Sequence, residues 1–473
     1  MRNLVLAALA ATLCVGPAAQ AAPPPHLLFD LAGTGAAGYS GDGGPAGLAE
    51  LNLPDGVAID SNGNVAVADS VNNRIRFVSR DGFVSTGAGT GVAGLSGDDA
   101  AATAAQLNHP QDVAATPDGG LLIADTYNHR VRRVSPGGQI TTVAGSGRGF
   151  GGDGGPATAA QLAFPLAVAP TPDGGFLIAD FGNRRVRKVS FAGIVSTVAG
   201  SGQRAFAGDG GPAAAAGLDA GGVAANPDGG FVIADTSNAR VRQVGPDGHI
   251  STIAGTGARG SGGDGGPATD AQLFFPEDVE VAPDGSVLVA DSGANRVRWI
   301  DPSETIRTLA GVGTAGYDGD GRDGRLVQLN DPRGVAVGPS GDVVVAEGDG
   351  HRLRLILAGL VPAPTAAPQP APPPSTGTPR SQRLVAALAQ QSLRIRRRAR
   401  VRLAYVLTDD ARVSVELRRR GRRVAGARQT GRAGRNHITL RRPPRPGRYQ
   451  LRLTATGSDG RVSVDRGRLR VVR

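Results

Sequence analysis

Cysteine, lysine and aromatic residues are rare in the sequence. Cys14 is its only cysteine and Lys188 is its only lysine, so almost every positive charge is an arginine. A single cysteine excludes internal disulfides and thiolate metal clusters. Aromatic residues make up 4% of the chain, and Trp299 is the only tryptophan. This scarcity argues against a carbohydrate-binding surface built from exposed rings.

Histidine is also scarce, and no histidines pair at the spacing of metal ligands. The six histidines are His26, His109, His129, His249, His351 and His437. We therefore expect no metal, no cofactor and no chelator-sensitive activity. An alternative stays open, in which histidines from separate repeats come together around a metal.

One segment is similar to a calcium-binding loop. It carries Asp318, Asp320 and Asp323, but Arg322 stands where a further ligand is needed, and the distal glutamate is absent. The sequence favours a turn over a calcium site at this position.

The first 21 residues have the pattern of an export signal. Arg2 precedes an apolar run from Leu4 to Val15, and Ala19–Ala21 fits a small-x-small cleavage site. That run is too short to span a bilayer, and no later segment has the length of a transmembrane helix. We expect a secreted or extracytoplasmic protein, associated with the cell envelope, whose mature chain lacks cysteine.

The most informative feature is an internal repeat. Ala-Asp or Ala-Glu recurs every 55 or 56 residues, and arginines follow each acid after five and after seven residues. The acids are Asp69, Asp125, Asp180, Asp235, Asp291 and Glu347. The first arginines are Arg74, Arg130, Arg185, Arg240, Arg296 and Arg352, and the second are Arg76, Arg132, Arg187, Arg242, Arg298 and Arg354. Because a structural tie is needed in each unit and a catalytic site is not, we interpret these positions as structural hydrogen bonds or ion pairs.

Each repeat unit has the pattern of four short strands separated by glycine-rich turns. In the second unit we predict strands over Asp112–Ala115, Leu121–Ala124, Arg130–Val134 and Ile140–Ala144. The third of these alternates charged and apolar residues, as a half-exposed strand does. Four antiparallel strands in a repeat of this length are typical of a β-propeller blade.

The two ends of the repeat region complement each other. The sixth unit has only three predicted strands, Gly334–Val337, Val343–Ala346 and Arg352–Ile356. The missing fourth strand matches Phe29–Gly33, whose pattern is that of Thr141–Gly145 in the second unit. We therefore predict an all-β fold, a six-bladed β-propeller closed by the N-terminal strand, which removes open sheet edges.

The units resemble NHL repeats of the bacterial and teneurin-like kind. The resemblance rests on Leu122–Asp125, Asn128 and Arg130–Arg132, and on the Gly-Asp-Gly-Gly-Pro-Ala segment between units. Ala294 and Gly350 depart from the pattern, because each replaces the repeat asparagine. The resemblance implies a propeller that serves in protein interaction or adhesion, without specifying a ligand.

The long segments between units, here called inserts, share one face of the predicted propeller with the turns that follow each second strand. We call this face the insert-bearing face. Its predicted binding residues are the insert aspartates Asp42, Asp98, Asp153, Asp209, Asp264 and Asp320. An alternative interpretation stays open, in which these aspartates only cap turns among the glycines.

The C-terminal part of the chain differs from the repeats in composition. Residues 360–379 form a proline- and alanine-rich linker, typical of an extended spacer. Residues 380–473 carry 27 arginines and 5 acids, a net charge of +22, while residues 1–379 carry −12. Strand patterns occur over Val401–Leu407, Val413–Leu417, His437–Leu440 and Tyr449–Leu453. The stretch Pro446–Tyr449, leading to Ala455 and Gly457–Gly460, resembles the late strands of immunoglobulin-like or fibronectin-like domains, so we predict a small β-sandwich.

This basic domain, residues 380–473, is predicted to attract anionic polymers. Two alternatives stay open: the arginines reflect genome composition, or they are attracted to the acidic propeller of the same chain. The domain layout we predict is a signal peptide (1–21), a propeller (22–359), a linker (360–379) and an arginine-rich sandwich (380–473).

Together these features predict an exported, monomeric, non-enzymatic scaffold. Its protein or envelope partner would dock on the insert-bearing face. The alternative function is a propeller-type hydrolase or lyase, lactonase-like or metal-dependent, with its site in the central channel.

Overall fold

The strands of the protein were located in a computed structural model, which describes residues 26–339, 341–357 and eight strands between 386 and 472. The expected signal peptide and linker lie outside the described residues. In the part of the chain that is described, no helix is long and apolar enough to cross a membrane.

Residues 26–357 form six antiparallel sheets, one for each predicted unit. A first strand, β1 (Leu27–Ala32), precedes blade 1, which contains β2 (Pro54–Ile59), β3 (Val65–Asp69), β4 (Arg74–Val78) and β5 (Val84–Ala88). Blade 2 contains β6 (Ala100–Ala101), β7 (Pro110–Ala115), β8 (Leu121–Asp125), β9 (Arg130–Val134) and β10 (Gln139–Ala144). Blade 3 contains β11 (Pro165–Pro170), β12 (Phe176–Asp180), β13 (Arg185–Val189) and β14 (Val195–Ala199).

The remaining blades repeat this order. Blade 4 contains β15 (Ala220–Ala225), β16 (Phe231–Asp235), β17 (Arg240–Val244) and β18 (Ile250–Ala254). Blade 5 contains β19 (Pro276–Val281), β20 (Val287–Asp291), β21 (Arg296–Ile300) and β22 (Ile306–Ala310). Blade 6 contains β23 (Arg322–Asp323), β24 (Pro332–Val337), β25 (Val343–Glu347) and β26 (Arg352–Ile356).

The first full strand of each blade lies innermost. β2, β7, β11, β15, β19 and β24 each contact the equivalent strands of both neighbouring blades, so they close a ring around a central channel. The prediction of a six-bladed β-propeller is confirmed.

Ring closure also follows the prediction. β1 lies against β26 as the fourth strand of blade 6, with Phe29 opposite Leu355 and Asp30 opposite Arg354. Leu28 is fully buried in this arrangement. The last blade is therefore completed by the N-terminal strand.

The hydrophobic core lies between adjacent blades rather than inside one sheet. Leu177 of blade 3 packs in one cluster with Ile233 of blade 4 and with Leu218 from the insert between them. All six insert leucines are fully buried: Leu51, Leu107, Leu162, Leu218, Leu273 and Leu329. Each insert is thus held down on the blades by its leucine.

Single turns of 3-10 helix occur at two places in the repeat. After the second strand they cover Ser70–Asn72, Thr126–Asn128, Phe181–Asn183, Thr236–Asn238 and Ser292–Ala294. In the inserts they cover Ala46–Leu48, Ala102–Ala104, Ala157–Ala159, Ala213–Ala215, Ala268–Asp270 and Gly324–Leu326. Both sets lie on the insert-bearing face.

The described C-terminal strands form two further sheets. They are β27 (Ala386–Leu388), β28 (Ser392–Arg396), β29 (Val401–Leu407), β30 (Ala411–Arg419), β31 (Arg422–Gly431), β32 (Gly434–Leu440), β33 (Gly447–Gly457) and β34 (Val462–Val472). The sheet orders are β27-β29-β32 and β28-β34-β33-β30-β31. Two small sheets of this kind are the layout predicted for a β-sandwich.

Candidate functional site

In every blade the repeated charges form a buried cluster of ion pairs, which we call the ladder: the second arginine lies between the strand-end acid and an insert carboxylate or its substitute. In blade 3 the Arg187 side chain is fully buried between two carboxylates. Its Nη1 lies 3.3 Å from Asp180 Oδ2, and its Nη2 lies 2.6 Å from Asp153 Oδ1 of the insert. The second arginines of the other blades are placed in the same way: Arg76, Arg132, Arg242, Arg298 and Arg354.

The strand-end acid also ties the insert to its blade. Asp180 accepts hydrogen bonds from the backbone N–H of Ala163 at 2.7 Å and from Asn183 Nδ2 at 2.8 Å. Burial raises the pKa of Asp180 to about 6, although Arg187 and these donors oppose the shift. In blades 5 and 6, where Ala294 and Gly350 supply no side-chain donor, burial raises the pKa of the acid to about 7.

The insert aspartates, predicted as binding residues, are engaged by the ladder. In blades 1, 2, 3 and 5 they lie 2.6–2.8 Å from the second arginine, and Asp209 pairs with Arg242 in the same way. In blade 6 the distance from Asp320 to Arg354 is 3.9 Å, and Asp30 of the closing strand pairs with Arg354 at 2.9 Å instead. These carboxylates therefore orient the inserts.

The first arginines have a different role from the second. Arg185 donates to the backbone carbonyls of Asn183 at 2.9 Å and Ser201 at 2.8 Å. The equivalent arginines also donate to backbone carbonyls beside them: Arg74, Arg130, Arg240 and Arg352. Arg296 differs only at Nη1, which donates to Thr308 Oγ1 at 3.1 Å, while its Nη2 still donates to the backbone carbonyl of Val312 at 3.2 Å.

A cavity of about 440 Å³ opens where the central channel meets the insert-bearing face. All six blades contribute to it, so it lies on the propeller axis. We call it the mouth cavity, and its inner-strand lining includes Asp55, Gly56, Gln111, Asp112, Leu166, Ala167, Gly221, Glu277, Asp278 and Arg333. The turns add Thr126, Tyr127, Phe164, Phe181, Gly182 and Thr236.

The lining of the mouth cavity divides by chemistry. Blade 5 contributes Glu277 and Asp278, blade 1 contributes Asp55 and blade 2 contributes Asp112, while Arg333 of blade 6 is the one cation among the described lining residues. Blades 2 and 3 contribute the rings of Tyr127, Phe164 and Phe181. A cavity lined by both carboxyl groups and aromatic rings suits a ligand with a cationic group on an apolar body.

Two channel aspartates also hold neighbouring blades together. Asp112 Oδ2 accepts the backbone N–H of Val168 in blade 3 at 2.8 Å. Asp278, on the opposite side of the ring, accepts that of Val335 in blade 6 at 2.9 Å. Burial raises the pKa of Asp112 to about 7, and burial together with the charge of Asp112 raises the pKa of Asp278.

Sequence reasoning placed a site in the central channel only as an alternative, and it identified none of the residues that line this cavity. A usable signal was present, because the residue after the proline that opens each blade differs from unit to unit: Asp55, Gln111, Leu166, Glu277 and Arg333, with Gly221 in blade 4. The valine two residues later is the same in all six units. Variation at one position of an otherwise regular repeat marks residues that the fold itself does not require.

The channel acids predict how stability varies with pH. Burial raises the pKa of Glu280 to about 8, and that of Glu277 to about 7, so the folded protein holds protons that the unfolded chain releases. The free energy of unfolding should therefore fall as pH rises from about 5 to 8, by up to about 1.4 kcal/mol per pH unit for each proton.

Urea unfolding at several pH values checks this dependence. Glu280→Gln should flatten the curve, because glutamine can still accept the backbone hydrogen bond that Glu280 accepts from Val337. Glu304→Gln, at an exposed turn, is the matched control and should leave the curve unchanged. A wild-type protein that is more stable at pH 8 than at pH 5 would contradict the prediction.

The candidate metal residues have other partners. His129 Nδ1 and His351 Nδ1 accept backbone N–H groups of Phe164 and Leu53 at 3.2 Å. In the segment similar to a calcium loop, Asp318 pairs with Arg322, Asp320 accepts the backbone N–H of Asp30, and Asp323 pairs with Arg325. Among the described residues no group of three or more potential ligands is arranged to hold a metal.

Comparison with known proteins agrees with the repeat and the fold. The family model of the NHL repeat matches residues 51–76, 107–134 and 329–354. Teneurin-m of Drosophila melanogaster is 28% identical over 285 residues, which cover 54% of this chain and 10% of that protein. Teneurin-4 of Mus musculus is 31% identical over 279 residues, which cover 55% of this chain and 8% of that protein. The chain thus spans about a tenth of the length of these relatives.

Two solved structures share the architecture. A Bacteroides thetaiotaomicron protein of unknown function has a TM-score of 0.53 at 17% identity, covering 70% of this chain and 75% of its own. An auxiliary nutrient binding protein of Bacteroides ovatus has a TM-score of 0.50 at 14% identity, covering 70% of this chain and 76% of its own. At these identities the likeness concerns the fold alone.

The six sheets around one channel define the class of the protein, which is a six-bladed β-propeller. The repeated strand-end acid and arginines, together with the match of the NHL-repeat model at residues 51–76, 107–134 and 329–354, identify the repeat units as NHL repeats. The chain is an NHL-repeat β-propeller protein.

Proposed function

We propose that the protein is an exported, non-enzymatic binding scaffold whose partner docks on the insert-bearing face. The mouth cavity is the anchor point of this face. The observation that carries the proposal is the lining of the cavity by positions that differ between units, while the ladder and the core repeat in every blade. A repeat protein recognises its partner through such positions.

The hydrogen bonds that the channel aspartates already accept support binding over catalysis. Asp112 and Asp278 each accept two backbone N–H groups, so their carboxylates are committed to joining blades. A second candidate, a hydrolase or lyase of the central channel, is favoured by the pKa of about 7 that burial gives both Asp112 and Glu277. Shifted carboxyl groups in a cleft are frequent in acid–base catalysis.

Partner capture with matched variants distinguishes the two faces. Leu166→Trp should block the mouth cavity, because Leu166 lies half-buried in its wall. Phe191→Trp is the control, since Phe191 is 85% exposed on a turn of the opposite face. Envelope proteins that are retained by wild type and by Phe191→Trp, and lost with Leu166→Trp, are the expected result. Equal capture by all three chains would overturn the proposal.

We further propose the domain layout given by the sequence, with export directed by residues 1–21 and a linker over 360–379. The basic domain is proposed to bind an anionic polymer. In its described strands the side chains of Arg412, Arg428 and Arg452 are exposed, while Val413 and Val415 are buried. These three arginines therefore face solvent rather than the interior.

A polyanion titration tests the basic domain. Full-length protein and a chain ending at residue 359 are titrated with teichoic acid or DNA at several salt concentrations. The full-length chain should bind at low salt with an affinity that falls steeply as salt rises, because bound counterions are released. The truncated chain should not bind. Equal binding by both chains would assign the interaction to the propeller.

A further inference from the structure

Blade 5 lacks the aromatic side chain that packs over the two repeat arginines in most other blades. In four blades an aromatic ring, three residues before the insert aspartate, covers both arginines of the blade. In blade 3, for example, the Phe150 ring lies 3.9 Å from Arg185 Cζ and 5.2 Å from Arg187 Cζ. The equivalent rings are Tyr39, Phe206 and Tyr317. Blade 2 has Leu95 at this position, and blade 5 has only Ser261.

The hydrogen bonding of Arg296 in blade 5 also differs from that of its equivalents. Ala294 also replaces the repeat asparagine here, and Arg296 donates to Thr308 Oγ1 at 3.1 Å. In blades 1 to 4 the threonine at this position donates instead to the insert aspartate, as Thr197 does to Asp153 at 2.7 Å. Ser261, Ala294 and the altered hydrogen bond between Arg296 and Thr308 are therefore all features of the same blade.

A cavity of about 480 Å³ opens there, and we call it the blade-five cavity. Three arginines line it. Arg296 is on the third strand of blade 5, Arg307 is on its fourth strand, and Arg325 is in the insert that follows. Asp264 is the only carboxylate among the lining residues that the structure describes. The apolar part of the wall comes from Trp299, Leu309 and Val312.

Several buried nitrogens in this wall have no hydrogen-bond partner among the described residues. Trp299 is 7% exposed, and its Nε1, an obligate donor, is unpaired, as is Nε of Arg296. Nδ1 of His26, which also lines the cavity, is unpaired as well. The wall is therefore rich in donors and poor in acceptors.

The ion pairs of the three arginines show the same excess of donors over acceptors. Arg325 is paired with Asp323 at 2.6 Å, but Arg307 lies 3.7 Å from Asp301 and Arg296 lies 3.9 Å from Asp264. Asp264 itself is engaged by Arg298 at 2.7 Å. Arg296 does donate to Thr308 Oγ1 at 3.1 Å and to the Val312 carbonyl at 3.2 Å, but among the described residues neither it nor Arg307 has a carboxylate at hydrogen-bond distance. Both guanidinium groups can therefore take a stronger acceptor, and planar guanidinium groups match oxyanions well.

We propose that the blade-five cavity binds a small molecule that carries an oxyanion, a phosphate or a carboxylate, on an apolar body. The oxyanion accepts from Arg296 and Arg307, and the apolar body packs against Trp299. This site is separate from the mouth cavity and does not depend on the function proposed for it.

The protein carries its own reporter, because Trp299 is the only tryptophan in the chain. Full-length protein is titrated with phenyl phosphate, benzoate and inorganic phosphate at constant ionic strength, with sodium chloride as the control salt. We expect a saturable change in Trp299 fluorescence with phenyl phosphate or benzoate, and the stronger of the two identifies the oxyanion. Calorimetry on the same samples detects binding that leaves the fluorescence unchanged.

Two substitutions locate the site. Ser261→Phe supplies the ring that the other blades carry, so it should fill the cavity, weaken binding at least tenfold and leave thermal stability intact. Leu95→Phe makes the same kind of change in blade 2 and should leave binding unaffected. Any anion binding by the basic domain is the same in both variants, so the difference between them reports this site. No saturable signal or heat, or equal affinity of Ser261→Phe and wild type, would overturn the proposal.

Discussion

Replacing Arg187 by alanine should destabilise the propeller by about 3–5 kcal/mol, because it leaves a buried carboxylate without its counterion. Asp180 is fully buried, and Arg187 is the cation that faces it. The same substitution frees Asp153, so the insert loses its tie to the blade. Urea unfolding at pH 8 measures the effect.

The adjacent residue offers a matched control. Lys188 is on the same strand and also forms an ion pair, with Asp173 at 2.6 Å, but both side chains are partly exposed. Lys188→Ala should therefore change stability by less than about 1 kcal/mol. The penalty for Arg187→Ala should also shrink at pH 5, where Asp180, whose pKa is already raised to about 6, can take up a proton. Similar small effects for both variants would show that the ladder is not a major source of stability.

Removing the closing strand should have an equally large effect. Deletion of residues 26–33 removes Leu28, which is fully buried, and Asp30, which pairs with the buried Arg354 at 2.9 Å. Loss of that burial and of a partner for a buried charge should cost at least about 5 kcal/mol. The exposed edge of β26 should in addition promote aggregation.

Thermal unfolding and size-exclusion chromatography measure both consequences. Deletion of eight residues from the linker, 362–369, is the control, and it should leave melting and elution unchanged. If the chain lacking residues 26–33 melts as the wild type does, the N-terminal strand does not close the ring in solution.

Periodicity predicted most of the propeller. The third strand of blade 2 begins and ends where its charge alternation predicts, at Arg130–Val134, and the second strand differs only by including Asp125. The acid belongs to the strand because its backbone still pairs with Arg130. Local pattern is sufficient here, since each of the first five blades forms from residues close together in the chain.

The mouth cavity was not predicted, because ring closure creates it. Asp112 and Asp278 stand 166 positions apart and look like ordinary strand residues in their own units. Only the closed ring brings them close enough for the charge of one to raise the pKa of the other. Similarly, alternation places both Arg185 and Arg187 on one face of β13, and only the side-chain contacts show that Arg187 forms the ion pairs.

Site-specific photo-crosslinking tests the central claim, that the partner docks at the mouth cavity, most directly. The photoreactive amino acid p-benzoylphenylalanine is placed at Tyr127, which is 48% exposed and lines the cavity, or at Phe191 on the opposite face. In irradiated cells of the producing organism, the account predicts an adduct of higher mass from position 127, lost when Leu166→Trp is added, and none from position 191. Adducts from position 191 alone, or from neither position, would contradict it.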